Sequence, residues 1–213
     1  MKNTIIKQDN EVKYLYCSNE FCSAKLLKRL VLFTSRNAMN IEGLSDAILS
    51  KLIDEGLIKS YPDIYRLEKY KDIIINFEGF GLKSYNNLIN SINNSRNIKL
   101  ANFIYSLGIP DIGLSRAKLI CNKFSNDFNK IKNLTLEELS NIDGIGEIIA
   151  LEWVKAFDNK EFVNDIDELL KEITFIDKNN TNAAKLENKT FVITGSVNNF
   201  KNRDALIEFI ESF

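Results

Sequence analysis

Four short segments of this chain repeat one pattern, in which a glycine turn separates two stretches of apolar residues at helical spacing. They are Ile41-Glu42-Gly43-Leu44-Ser45, Phe77-Glu78-Gly79-Phe80-Gly81, Leu107-Gly108-Ile109-Pro110-Asp111-Ile112-Gly113 and Ile142-Asp143-Gly144-Ile145-Gly146. Leu100, Phe103, Ile104 and Leu107 fall at i, i+3, i+4 and i+7, and Tyr85, Leu88, Ile89 and Ile92 repeat that spacing. Ala117, Ile120, Cys121 and Phe124 form a third such face, on which Cys121 reads as a core residue. The turns recur about every 30–36 residues, the range of a repeated supersecondary unit. A single helical hairpin cannot bury its own apolar face, so neighbouring hairpins must pack together. The expected fold is mainly α, a compact bundle of four such helical hairpins.

Seven of the chain's 9 glycines lie in these turns. Gly56 reads as a helix C-cap and Gly195 ends a later apolar run. Glycine tolerates positive φ and has no Cβ to block a close neighbour. A turn of this kind at a helix N-terminus presents bare N–H groups, which is an anion site suited to a phosphodiester backbone. Any one such turn is also what two packed helices require. Four with the same grammar shift the balance toward phosphate binding.

The four turns are not equivalent. The second and fourth have the full Gly-x-Gly form, with Gly79 and Gly81 in one and Gly144 and Gly146 in the other. The third holds Gly108 and Gly113 in a longer variant. In the first, Ser45 stands where the second glycine would be after Gly43. Lys83 and Arg116 follow the second and third turns and could reach a phosphate oxygen or remain solvated surface charges. Glu147 follows the fourth, so backbone amides are expected to carry that contact.

Composition narrows the function classes. The formal net charge is -1 and the pI about 5.7, which argues against a binder driven chiefly by counterion release. Histidine is absent, which removes His triads, His proton shuttles and His metal ligands. Three cysteines do not make a secreted disulfide framework and fit a reducing cytoplasm. The N-terminus has no signal-peptide core, and no apolar run approaches a membrane span. No carboxylate pair or activated nucleophile is recognisable.

The segments divide the chain. Residues 1–32 are charged and carry Cys17 and Cys22. Residues 33–176 hold the helical repeats, with Thr135-Leu136-Glu137-Glu138 as a capping box. Residues 177–186 are polar and aperiodic and read as a linker. In 187–213, Lys189-Thr190-Phe191-Val192-Ile193-Thr194-Gly195-Ser196 reads as a buried strand, and Arg203 to Phe213 as a helix with Leu206, Ile207 and Ile210 on one side. One strand and one helix cannot form a stable sheet domain, so this piece is expected to dock elsewhere or to be part of a longer unit.

Taken together, Gly-Phe-Gly-Leu-Lys-Ser, Leu-Gly-Ile-Pro-Asp-Ile-Gly and Asp-Gly-Ile-Gly resemble the helix-hairpin-helix domain of bacterial NAD-dependent DNA ligases. The stretch from Phe33 through Ser35-Arg36-Asn37-Ala38-Met39 to Leu44 is similar to the segment entering that domain, and residues 189–196 with Arg203-Asp204 are similar to the opening of its BRCT domain. The resemblance runs from about Val12 onward. It implies a C-terminal portion of such a ligase, with a small N-terminal finger remnant, the four-repeat domain, and a C-terminal β-α piece of a truncated BRCT domain.

The resemblance also implies partners and cofactors. In that family a zinc finger with four cysteines precedes the hairpins. Cys17 and Cys22 match its second pair, and residues 1–16 supply no first pair, so only half a zinc site is expected. The adenylation portion, with its lysine nucleophile and NAD site, lies upstream in the family. No Lys-x-Asp-Gly segment occurs here, and no NAD site is expected in this chain. The implied role is non-catalytic: gripping the sugar-phosphate backbone of nicked duplex DNA without sequence preference, in replication and repair. The alternatives are a helix-hairpin-helix subunit of another DNA repair protein, or a helical protein-interaction module that touches no nucleic acid.

Overall fold

The computed structural model of the chain describes residues 4–9, 12–17, 19, 22–176, 189 and 191–211. By their contacts they divide into two units, Met1–Ile176 and Asp177–Phe213. The linker expected over 177–186 lies outside the described residues.

The first unit begins with two antiparallel strands, β1 (Thr4–Asp9) and β2 (Val12–Cys17), paired from Thr4 opposite Cys17 to Asp9 opposite Val12. Helix α1 (Ser23–Thr34) follows, so helical structure starts well before Phe33. Then come α2 (Asp46–Asp54), α3 (Tyr61–Ile64), a 3-10 turn (Leu67–Tyr70), α4 (Lys71–Ile74) and α5 (Leu82–Ser95). Beyond β3 (Asn97–Ile98) lie α6 (Leu100–Ser106), α7 (Leu114–Lys123), α8 (Phe128–Ile131) and α9 (Leu136–Ser140). The unit closes with α10 (Glu147–Asp158), α11 (Lys160–Leu169) and β4 (Thr174–Phe175), which pairs in parallel with β3.

The helices follow from the apolar spacing. On α5, Tyr85, Leu88 and Ile92 are buried, and on α6 Leu100, Phe103 and Ile104 are, with Leu107 just beyond it. On α7 the buried set is Ala117, Ile120 and Cys121. One continuous core runs through all the hairpins. Burying each such Leu, Ile or Phe side chain is worth about 1.5–3 kcal/mol, and this stabilises helices of 4–14 residues that would not hold alone. Phe103 sits at the centre of an aromatic cluster, edge-on to Phe128 at 5.4 Å and Phe175 at 5.2 Å between ring centroids.

The helix ends are equally specific. Gly56 follows α2 with φ +70°; its N–H donates to Ile53 O, and the next N–H, of Leu57, to Leu52 O, both at 2.9 Å. These are the two bonds of a Schellman cap. Thr135 and Glu138 form the expected capping box: the Thr135 N–H donates to Glu138 Oε2 at 2.9 Å, and the Glu138 N–H to Thr135 Oγ1 at 3.3 Å.

In the second unit, α12 (Arg203–Glu211) forms where a helix was expected. The buried strand expected over 189–196 is corrected: among the described residues Phe191–Thr194 belong to no strand, and Val192 is 83 % exposed. The run has the β-branched composition of a strand, but no described segment pairs with its backbone groups or covers its side chains.

Candidate nucleic-acid interface

Each of the four turns is pinned by two apolar residues three apart: Ile41 and Leu44, Phe77 and Phe80, Ile109 and Ile112, Ile142 and Ile145. All but half-buried Phe77 are buried. The last three turns are closed by the same bond. Phe80 N–H donates to Phe77 O at 2.9 Å, Ile112 N–H to Ile109 O at 3.1 Å, and Ile145 N–H to Ile142 O at 3.0 Å. The third residue of each has positive φ: Gly79 +75°, Asp111 +60° and Gly144 +84°. That sign is what a type II turn demands at this position, and Pro110 suits the position before it.

In the third repeat, therefore, Asp111 and not Gly108 occupies the place of Gly79 and Gly144. Gly108 ends α6 with φ +68°, and a Cβ there would come within 3.1 Å of Leu32 Cδ2. Its positive φ, more than the nearby tip of the Leu32 side chain, accounts for glycine there.

The glycines that start the following helices have no such explanation. Gly81, Gly113 and Gly146 are the N-caps of α5, α7 and α10. A Cβ at any of the three would meet nothing within 4 Å. Gly113 and Gly146 have φ −77° and −82°, ordinary values for any residue. At Gly113 and Gly146 neither positive φ nor internal packing requires glycine, although glycine suits an N-cap.

These N-termini are open. The helical ladder begins at Tyr85 N–H to Gly81 O, Ala117 N–H to Gly113 O and Ala150 N–H to Gly146 O. The N–H groups of the three residues between each pair have no acceptor within the helix, and no side chain caps them. By contrast, α8, α9 and α11 are capped by Asp127, Thr135 and Asn159. Ser140–Gly146 line an open concavity of about 410 Å³ at the fourth turn.

The first turn differs. Ser45 Oγ takes the Ile48 N–H at 3.4 Å, and Ser91 Oγ takes the Glu42 N–H at 2.7 Å. Gly43, at φ +93°, stands against Leu88 of α5. Two of its donors are thus satisfied internally, and it is docked on the helix that follows the second turn.

Of the cations expected at phosphates, Lys83 is exposed in the first turn of α5. Arg116 is held otherwise: its Nη1 donates to Asp111 O at 2.7 Å and its Nε to Gly144 O at 3.1 Å. Sequence patterns carry no signal for this bridge, because it joins residues 28 apart. Glu42, Glu78, Asp143 and Glu147 are exposed beside the turns and oppose an approaching anion. Ile148, 75 % exposed in the first turn of α10, also went unmarked by periodicity.

Cys17 ends β2 and Cys22 precedes α1, each half-buried. Among the described residues no three His, Cys, Asp or Glu side chains are grouped as for a metal ion. Two thiolates supply half of the four donors of a closed zinc site, so the residues present do not fit the metal.

A helix-hairpin-helix motif family matches residues 102–166, which span the third and fourth turns. The chain is 50 % identical over 210 residues to a DNA ligase of Lachnoclostridium phytofermentans, covering 98 % of this chain and 32 % of that protein. It is 47 % identical to a DNA ligase of Ruminiclostridium cellulolyticum, covering 98 % and 32 %, and 41 % identical to one of Mycoplasma capricolum, covering 90 % and 29 %. The chain spans about a third of the length of these curated relatives.

Proposed function

Taking this chain as homologous to a portion of the DNA ligases, we propose that residues 33–176 grip the sugar-phosphate backbone of duplex DNA without reading its sequence. The grip holds a nicked duplex for strand joining, in cytoplasmic replication and repair. The observation that carries this reading is the pair Gly113 and Gly146. Each is exposed, each has an ordinary φ, and a Cβ at each would meet open space. A backbone left bare where neither positive φ nor packing calls for it suits a ligand that must come close to it.

Peptide N–H groups at the starts of α5, α7 and α10 would donate to phosphate oxygens, helped by the positive end of each helix dipole. Phosphates look alike at every base step, so such contacts position a duplex and carry no sequence information. Lys83 adds one mobile cation. Because amides do most of the binding, the salt dependence should be shallow. With Lys83 as the one cation at a phosphate, the slope of log K against log salt should be about −1.

The joining chemistry belongs, in this reading, to another portion of a ligase, with NAD as adenylate donor. The residues of this chain hold no Lys-x-Asp-Gly segment. Zinc enters only if two further donors join Cys17 and Cys22.

The test is titration of nicked and intact duplexes of two unrelated sequences, at several salt concentrations. The expected result is binding at low salt, equal for the two sequences and tighter for the nicked form. Absence of binding to any duplex at low salt would favour the protein-interaction alternative and sink the proposal.

A further inference from the structure

The third and fourth turns are the same four-residue structure, and Arg116 bonds the same atom in both. Asp111 and Gly144 are the third residues of their turns, and it is their carbonyls that accept from Nη1 and Nε at 2.7 and 3.1 Å. The first two turns share no such link; Ser91 and Leu88 dock the first on α5 instead.

We propose that Arg116 is a positioning residue whose fork sets the spacing of the third and fourth turns, so that the open N-termini of α7 and α10 meet one duplex together. This rests on the duplex-binding reading above. Two weak contacts held at a fixed separation bind far better than two that move independently, because the ordering is done beforehand. The planar guanidinium suits the task, since its N–H groups point in fixed directions and can reach two carbonyls at once. A lysine would place the same charge there without the fork.

That difference separates positioning from a direct phosphate contact. If Arg116 acted mainly as a cation at a phosphate, Arg116→Lys would preserve binding, and Arg116→Gln would lower the salt slope by about one, as Lys83→Gln should. If it positions, Arg116→Lys fails despite keeping its charge.

The experiment titrates the whole chain, Arg116→Lys and Lys83→Gln on one nicked duplex at several salt concentrations. It also compares amide spectra of the parent and Arg116→Lys. The expected result is a loss of about tenfold or more for Arg116→Lys with the parent's salt slope, the size expected for losing a charge-assisted hydrogen bond. Amide shifts should be confined to residues 109–116 and 142–147. Binding by Arg116→Lys within twofold of the parent would overturn the inference and leave the duplex reading intact. Amide changes spread through α1, α5 and the core would assign Arg116 to general stability and overturn it as well. If the parent binds no duplex, both readings fall.

Discussion

Arg96 donates from one nitrogen, Nη1, to both the backbone carbonyl and the carboxylate of Glu172, at 3.0 and 2.8 Å. The same carboxylate takes Arg66 Nε at 3.1 Å. Beside this cluster the Thr174 N–H donates to Arg96 O at 2.7 Å and the Ile176 N–H to Ile98 O at 3.0 Å. The short β3–β4 pair and the ion cluster together tie the end of the first unit to its middle. The third and fourth turns lie on the stretch of chain closed in this way.

The cluster makes stability acid-sensitive. Burial alone would push the Glu172 carboxyl up, but hydrogen bonds from Arg96 and Arg66 outweigh it and hold it below its ordinary value of 4.5. A depressed folded pKa means stabilisation that is present above 4.5 and lost as pH falls through the folded value. Thermal melts should therefore change little from about pH 7 to about pH 5 and decline below. Glu172→Gln should cost roughly 1–2 kcal/mol at neutral pH and flatten the acid decline.

At the alkaline end, burial pushes the Tyr65 phenol up to about 12, against the smaller opposing pull of its hydrogen bond with Ser95 at 3.1 Å. A raised folded pKa gives stability that is complete below 10 and lost as pH rises toward 12. Absorbance titration should show a tyrosine that ionises well after the exposed ones. Tyr65→Phe should shrink that late step and leave the share of Tyr61, whose phenol burial also pushes up.

The two glycines of the fourth turn should respond to different degrees. Gly144 has φ +84°, so Gly144→Ala should destabilise by about 1–2 kcal/mol. Gly146 has φ −82° and open space around it, so in Gly146→Ala the gain in unfolded-chain entropy offsets the weaker N-cap, and the variant should stay within about 0.5 kcal/mol of the parent. Denaturant melts of the two variants give the comparison directly.

Phe103 is fully buried and touches the rings of Phe128 and Phe175. Phe103→Ala should cost about 3–5 kcal/mol through the lost burial and the cavity left behind. Calorimetry should show the drop. Phe103→Leu should recover much of it, because most of the volume is restored.

The helical bundle was legible because apolar spacing is what drives these helices to pack. The faces of α5, α6 and α7, the Thr135 box and the stop at Gly56 all announce themselves by local chemistry. β3 and β4 did not, since two residues have no measurable alternation. Asp111 also escaped notice, because a glycine search cannot see an aspartate in the left-handed region, although Asp tolerates it better than most residues. Gly108 shows the converse: a glycine that stops a helix looks the same in sequence as one that clears space for a ligand. Phe191–Thr194 had strand composition without a strand, because pairing depends on a neighbour and not on the segment alone.

Peptide nitrogens bared at Gly113 and Gly146 are proposed to hold the phosphates. The most direct measurement is the affinity of the Gly113→Ala/Gly146→Ala double variant for a nicked duplex, taken with its melting temperature and salt slope. Binding weaker by about tenfold or more is expected, with the parent's salt slope and a cooperative melt that shows the variant folded. A folded double variant that binds as tightly as the parent would contradict it.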